Sequence, residues 1–412
     1  MARPAVRGLA THLCAAASLF YVTRVASFAA SWAELPLLPA RPPNRLPRVS
    51  ILVPARDEER SIERCVRSLL AQRWIDFEVI VVDDRSVDAT PAILERLARE
   101  DSRLRVVRGA ELPDGWVGKP WALDQGAKLA KGEWLLFTDA DSCHAPEGVA
   151  TALYYATRMP VDALSIATHQ ELGTFWERAI LPSVLGLILF ASGSLGEIND
   201  PRSGSALANG QYLLVSRDAY DALGGHDALR GEIVEDLEFA RRLKADGRFR
   251  LLLASGESLA SVRMYRSLGE IRRGFTKNAF AGAKGNPASL FGGVAFLLTV
   301  SALPPAFAVR ALAARRYGEA AEALACTAAI VAAAAWGFGR VRLPRRLAVF
   351  APLGIAAFAA IALESAVLVL SGRGVEWRGR TYLGRSPGKG VPQAEPRPGT
   401  GLHGAGATSP VP

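Results

Sequence analysis

Cysteine is scarce in this chain of 412 residues: Cys14, Cys65, Cys143 and Cys326 are spread along it with no CxxC pair. That excludes a disulfide scaffold and a cysteine zinc site, and it suits a reducing cytoplasm. A basic surface is also missing where a nucleic-acid-binding domain would need one. The net charge of +9 divides into +4 for residues 1–47, +4 for 287–372 and +4 for 373–412, which leaves −3 for 48–286. The basic excess therefore flanks the apolar segments, as membrane-proximal charge does, and nucleic acid is excluded as a partner. Half of the residues are hydrophobic and 22% are charged, a mixture unlike a disordered chain or a purely transmembrane one. The length exceeds the roughly 100–200 residues of one domain, so a soluble domain joined to membrane segments is expected.

Four stretches are long and apolar. Leu9–Trp32 is interrupted by His12 and Arg24 and is followed by no small-residue cleavage motif, so an uncleaved anchor is expected there. Ala288–Val309 runs 22 residues without a charge but contains Pro304 and Pro305; Ala323–Gly339 is alanine-rich; Leu347–Ser371 holds one acid, Glu364. These predict two or three C-terminal spans, each needing about 20 residues. A fifth stretch, Ala179–Leu195, is shorter and lies inside the globular part, where an interfacial or buried helix is expected. Residues 386–412 hold six Pro and six Gly, too many for a packed element. The resulting division is an anchor and linker over 1–47, a globular domain over 48–286, a membrane region over 287–372, and a basic segment with a disordered tail over 373–412.

Within 48–286 the pattern alternates. Val49–Val53 and Phe77–Val82 are continuous β-rich runs, and Glu58–Gln72 between them carries Ile62, Val66, Leu69 and Leu70 at helical spacing. Helix 90–99, strand 104–107, helix 120–130 and strand 134–138 continue the series. This is α/β construction with a mainly parallel sheet, whose ligands bind at the carboxyl ends of the strands.

Acids gather at those ends: Asp57-Glu58-Glu59, Asp83-Asp84, and Asp139-Ala-Asp141. One such cluster is ordinary helix capping. Three on one sheet edge repel one another unless a cation or hydrogen-bond donors intervene. Asp139 and Asp141, two apart on an extended segment, point the same way and suit a hard divalent ion, since Mg²⁺ takes one or two carboxylates plus phosphate oxygens. Glu235-Asp236 opens a later helix, either as acids favoured by its dipole or as a general base. His144 is a third metal ligand or a hydrogen-bonding loop residue, His226 a turn residue or an acceptor contact, and Trp116 and Trp121 flank a ligand or cover a core edge.

Taken together, Val49-Ser-Ile-Leu-Val-Pro-Ala-Arg-Asp-Glu-Glu59, Val81-Val-Asp-Asp-Arg-Ser86, Phe137-Thr-Asp-Ala-Asp141 and Glu235-Asp236 resemble the family 2 glycosyltransferases over about residues 48–285. Gly115–Ala122, Asn199–Arg202, Asn209-Gly-Gln211, Gly224-Gly-His226, Met264–Ser267, Gly274–Asn278 and Trp377-Arg-Gly-Arg-Thr-Tyr382 resemble its membrane-anchored branch associated with carotenoid and hopanoid glycosylation. The resemblance implies a type A glycosyltransferase (nucleotide-diphospho-sugar transferase) fold with transmembrane helices in the cell membrane and a cytoplasmic catalytic domain. It implies an inverting, metal-dependent enzyme that moves a sugar from a UDP-sugar to a lipid-like acceptor.

By the same resemblance Asp84, with Asp83, binds uracil and ribose, and Ala55 and Asp57 line the nucleotide pocket. Lys119 and Asp139 contact the donor, Asp139 and Asp141 hold Mg²⁺ or Mn²⁺, and Asp236, beside Glu235, is the base. Two departures stand out. Asp57 replaces a frequent asparagine, and no QxxRW-type motif follows the base, so Arg266 and Lys277 are the candidate cations, with Gln211 a further acceptor-side or diphosphate contact. A processive polysaccharide synthase and a non-catalytic nucleotide-sugar-binding membrane protein are the alternatives.

Overall fold

The computed structural model describes residues 4–42, 44–282 and 286–382; the Pro/Gly tail expected to be disordered lies outside them. The chain opens with α1 (Pro4–Ser31) and enters an alternating series: β1 (Val49–Ala55), α2 (Ile62–Leu70), β2 (Phe77–Asp83), α3 (Thr90–Glu100), β3 (Leu104–Arg108), α4 (Gly118–Leu129), β4 (Trp134–Phe137). It continues through β5 (Ser142–His144), α5 (Gly148–Arg158), β6 (Ala163–Ala167), β7 (His169–Gln170), α6 (Phe175–Ser192), α7 (Leu195–Asn199), β8 (Leu213–Ser216), α8 (Arg217–Ala222), α9 (Glu235–Asp246), β9 (Leu251–Ser255) and β10 (Ala260–Val262). The C-terminal part comprises α10 (Leu268–Gly282), α11 (Pro287–Ser301), α12 (Leu303–Ala313), α13 (Tyr317–Arg340), α14 (Ala351–Leu370) and the hairpin β11 (Val375–Trp377) and β12 (Arg380–Tyr382).

Seven strands form one sheet in the order β3-β2-β1-β4-β8-β6-β9. All neighbours are parallel except β8, which runs antiparallel to both β4 and β6. The strands read as continuous apolar runs because both faces are covered: Val49, Ile51, Val79, Val81 and Leu136 pack on one side, Leu52, Leu135, Phe137 and Val215 on the other. The order reverses between β1 and β4, whose neighbours lead away in opposite directions. The crevice at such a switch point, outside the carboxyl ends, is where open α/β sheets take ligands.

Among the described residues three helices are long and apolar enough to cross a membrane, His12–Ser31, Tyr317–Arg340 and Arg345–Leu370, and α11 with α12 makes a further pair bent by 41°. The bend falls where Pro304 and Pro305 begin α12, since proline forfeits the hydrogen bond back into α11. The parts on either side of the sequence division at 286/287 pack against each other. α14 lies along α6 and α10 of the preceding domain: the Ser365 hydroxyl donates to the Thr276 carbonyl (2.6 Å) and accepts from the Phe280 amide (3.2 Å), and Gly354 sits under the Ala179 carbonyl. Both approaches to α14 also meet the sheet domain's side of the molecule. Arg340, just before it, donates to the Ala29 and Trp32 carbonyls at 3.0 Å each, and the hairpin just after it docks on the acidic sheet edge.

The stretch Ala179–Leu195, expected as an interfacial or buried helix, falls mostly in α6, which is buried over 179–184, exposes Gly186, Ile188 and Ala191 further on, and breaks at Gly193 before α7. α6 starts with a capping box, in which the Thr174 hydroxyl accepts from the Glu177 amide and the Glu177 carboxylate accepts from the Thr174 amide. Glu177 is fully buried and pairs with Arg263 at 3.0 Å, which ties α6 to the end of β10.

Candidate functional site

A cavity of about 1080 Å³ opens at the switch point. Its polar end is lined by Ala55, Arg56, Glu58, Asp84, Lys119, Asp139, Asp141, Gln211, Glu235, Asp236 and Lys277, and by Arg378 and Arg380 of the hairpin. These side chains arrive from several separate elements. Arg56 and Glu58 follow β1, Asp84 follows β2, Asp139 and Asp141 follow β4, Lys119 lies in the first turn of α4, and Glu235 and Asp236 begin α9.

Lys119 is the centre of this end. Its ammonium lies 2.7 Å from Asp139 Oδ1 and 2.8 Å from Glu235 Oε1. Burial alone would lower its pKa, but Asp139, Glu235 and Asp236 hold it well above the usual lysine value. Asp236 turns its two oxygens to backbone donors, Oδ2 accepting from the Gly210 amide at 2.7 Å and Oδ1 from the Leu237 amide at 2.8 Å. Glycine at 210 lets the backbone come close, since a Cβ there would stand 2.9 Å from Lys119 Nζ and 3.0 Å from Asp236 Oδ2 and would push the lysine aside. Burial and the Glu235 charge push the Asp236 carboxyl up to about 6, while Lys119 and the two amides pull it back.

Asp141 is different in kind. Its Oδ1 is buried without a hydrogen-bond partner. Burial, Asp139 and Glu58 push its pKa up to about 8 against the pull of Arg378 and Lys119. A buried carboxylate oxygen left without a donor is costly unless it holds a proton or a cation. The donor set, two acids on one short segment, therefore fits a hard divalent ion completed by ligand oxygens. Among the described residues no group of three or more His, Cys, Asp or Glu forms a self-contained metal cage.

Three of the residues singled out from sequence lie elsewhere. Asp57 is in the left-handed region (φ 52°) and its Oδ1 accepts from the Val87 amide at 2.9 Å, so it holds the loop after β2 instead of lining the pocket. The task needs only an acceptor, which is why aspartate serves where asparagine is frequent. Asp83 is buried and accepts from the Ser86 amide (3.1 Å), shaping the same loop. Arg266 is exposed, with its guanidinium at the Arg60 carbonyl (3.5 Å), and does not reach the cavity. Lys277 does reach it, lying 5.5 Å from the centre of the Trp377 ring. The histidines are structural. His144 Nε2 faces the Thr138 and Ser142 hydroxyls, His226 Nδ1 faces the Tyr220 hydroxyl at 2.9 Å, and burial pushes both pKa values down to about 3. Trp116 and Trp121 pack against each other outside the cavity, their rings 5.0 Å apart and tilted by 59°.

Sequence reasoning named Glu58 only within an acidic cluster and Arg378 and Arg380 only within the Trp377–Tyr382 motif, and it gave neither them nor Arg56 an individual role. The signal was present as Arg-Gly-Arg between aromatic residues just after the last apolar run. Nothing local, however, ties residue 380 to residue 84.

From the acids the cavity continues between helices. Its far walls are Phe28 of α1 and Trp32 just after it, Pro182, Leu185 and Leu189 of α6, Leu290 and Val294 of α11, and Phe338 of α13.

Residues 50–221 match the family model described as Glycosyl transferase family 2. Beta-monoglucosyldiacylglycerol synthase of Trichormus variabilis is 34% identical over 212 residues, covering 49% of this chain and 42% of the relative. The 4,4'-diaponeurosporenoate glycosyltransferase of Staphylococcus aureus is 27% identical over 266 residues, covering 61% and 68%. The chain thus spans about two fifths of the length of the first curated relatives it matches. Among solved structures, a mannosyltransferase from Pyrobaculum calidifontis in complex with GDP-Man and Mn²⁺ aligns with a TM-score of 0.49 at 22% identity, covering 86% of this chain and 98% of that one.

Proposed function

Because the chain carries a family 2 glycosyl transferase domain over residues 50–221, we propose that it transfers a sugar from a UDP-sugar to a membrane lipid. The observation that carries this reading is the continuity of the cavity, which has carboxylates and a buried lysine at one end and the apolar walls of membrane-type helices at the other. A polar donor and an apolar acceptor would meet where the two ends join, at Asp236. The relatives' names point to a diacylglycerol and a diaponeurosporenoate, both lipid-like molecules. The apolar far wall favours such an acceptor over a growing polysaccharide, which needs a polar path. The reading places the protein in the membrane with the sheet domain on the cytoplasmic side.

In this reading Asp84 accepts hydrogen bonds from the uracil and ribose. Asp236, ionised, takes the proton of an acceptor hydroxyl as it attacks the anomeric carbon from the face opposite the departing diphosphate, so that configuration inverts. Its two backbone hydrogen bonds fix the carboxylate's direction, which keeps it oriented without a moving partner. Lys119 holds Glu235 and Asp139 together and sets a positive charge beside the leaving side of the site. Mg²⁺ or Mn²⁺ would be held by Asp139 and Asp141, and when bound it supplies neutralisation of the charge on the leaving diphosphate. An acceptor carboxylate would arrive ionised and need no base. The test is direct: purified full-length protein is given UDP-sugars and a membrane lipid extract, and UDP release is followed. Release that depends on the lipid supports the reading, and release with UDP-sugar and water alone, or none at all, refutes it.

A further inference from the structure

The hairpin Val375–Tyr382 turns through Arg378 (φ 49°) and Gly379 (φ 72°), with Trp377 paired to Arg380. Two positive φ values in a two-residue loop are the signature of a type I′ turn, which favours Asn or Asp before the glycine. Arginine at the first position is an unfavourable choice for the turn itself, so something outside the turn holds it. The holding contacts are ionic. Arg378 Nη2 lies 2.6 Å from Glu58 Oε1, and Arg56 Nε donates to the Arg378 carbonyl at 3.0 Å. Arg380 makes a two-pronged pair with Asp84, Nη1 at 2.5 Å from Oδ2 and Nη2 at 2.9 Å from Oδ1.

That pair is largely shielded, with side-chain exposures of 15% for Arg380 and 7% for Asp84. It is seated against Gly118, where a Cβ would stand 1.8 Å from Arg380 Nη1 and 3.0 Å from Asp84 Oδ2. Both oxygens of the carboxylate assigned to the nucleotide are therefore engaged by a side chain from the far end of the chain. The guanidinium takes one lone pair on each oxygen and fills the space in front of the carboxylate, so a nucleoside that is to use that face of Asp84 must displace it.

We infer that the hairpin is a gate over the donor pocket, in which Arg380 is an internal competitor for Asp84 that must leave before a uridine nucleotide can bind. This rests on the reading of the pocket as a nucleotide-sugar site and adds the regulation of that site. The hairpin follows directly on α14, which is clamped to α6 and α10, so opening swings a short arm from a fixed base. The apparent affinity for nucleotide is reduced by the fraction of molecules in which Asp84 is free.

The test is calorimetry of UDP with Mg²⁺ on the full chain and on Arg380→Ala and Arg380→Lys, with hydrogen exchange of residues 375–382 in the unmodified protein. Arg380→Ala is expected to bind UDP about tenfold more tightly, corresponding to a gate open in about a tenth of molecules, with Arg380→Lys in between because lysine cannot form the two-pronged pair. The hairpin amides are expected to exchange faster when UDP is added. UDP binding to the unmodified protein with equal or weaker affinity in Arg380→Ala, or hairpin amides that exchange more slowly with UDP, would overturn the gate while leaving the nucleotide reading intact. UDP binding to none of the three proteins would overturn both.

Discussion

At the scale of single residues, the site is a set of carboxylates given different tasks by their surroundings. Asp236 faces two amides and a lysine, Asp141 has an oxygen facing nothing, and Asp57 faces the backbone of a loop. Asp236→Asn is expected to lower turnover by about 10² to 10⁴, the range for a lost general base, while UDP binding persists. The amide nitrogen cannot accept, so the Gly210 or the Leu237 amide loses its partner, at a cost of about 1 kcal/mol that a melting curve will read separately.

The pH dependence has a definite sign. A base works when ionised, and the Asp236 pKa lies near 6, raised by burial and Glu235, so the rate should climb as pH rises through about 6 and plateau above it. The Asn variant should show no such limb. A flat profile in the parent protein would point to an acceptor already ionised. Asp141→Ala, or excess EDTA with the parent, should abolish transfer while the domain's melting temperature is retained; full activity in EDTA would remove the metal from the account. The acids were legible in the sequence because three clusters follow buried strands and Glu235-Asp236 opens a helix. The separation of Asp84 from Asp83 and Asp57 was not, because which of three neighbouring acids turns outward depends on loop backbone angles.

At the scale of elements, β1 to β4 and α2 to α4 were readable from periodicity, since each is a local pattern of burial. The sheet beyond β4 was not, because β8 inserts antiparallel between β4 and β6 by contacts made across some 50 to 80 residues. The hairpin escaped for the same reason: its three-residue strands carry no period, and its ionic partners are some 300 residues away. The helical walls of the cavity supply a test that leaves the donor end untouched. Gly186 of α6 and Gly293 of α11 both line it, and neither has an atom within 4 Å of where a Cβ would stand. Gly186→Phe with Gly293→Phe should fill the apolar end and raise the KM for a lipid acceptor by about tenfold or more, equivalent to about 1.4 kcal/mol. UDP affinity, measured in parallel, should not change. Equal loss of UDP binding would show that the two ends are not separable.

At the scale of the whole molecule, the apolar runs were legible as helices but not as crossings. Hydropathy gives α14 the strongest claim to a span, yet residue 340 before it and residues 378–380 after it both rest on the sheet-domain side. From these contacts we infer that both ends of the helix return to one side, so that it lies along the membrane instead of crossing it. On this geometry α11 with α12 leads away from the domain, α13 returns to the Ala29–Trp32 end of α1, and α14 lies beneath the domain against α6. A cysteine introduced at Gly372 should therefore be labelled by an impermeant maleimide only after the cytoplasmic face is opened, and labelling of intact cells would place α14 across the bilayer. The central claim, that one cavity joins a nucleotide-sugar to a membrane lipid, is tested most directly by incubating the full-length protein with UDP-sugars, Mg²⁺ and membrane lipid extract and reading the lipids by mass spectrometry. The account expects a lipid gaining one sugar mass, with UDP released in equal amount and neither seen in Asp236→Asn; no glycosylated lipid, or a ladder of many sugars on one product, would contradict it.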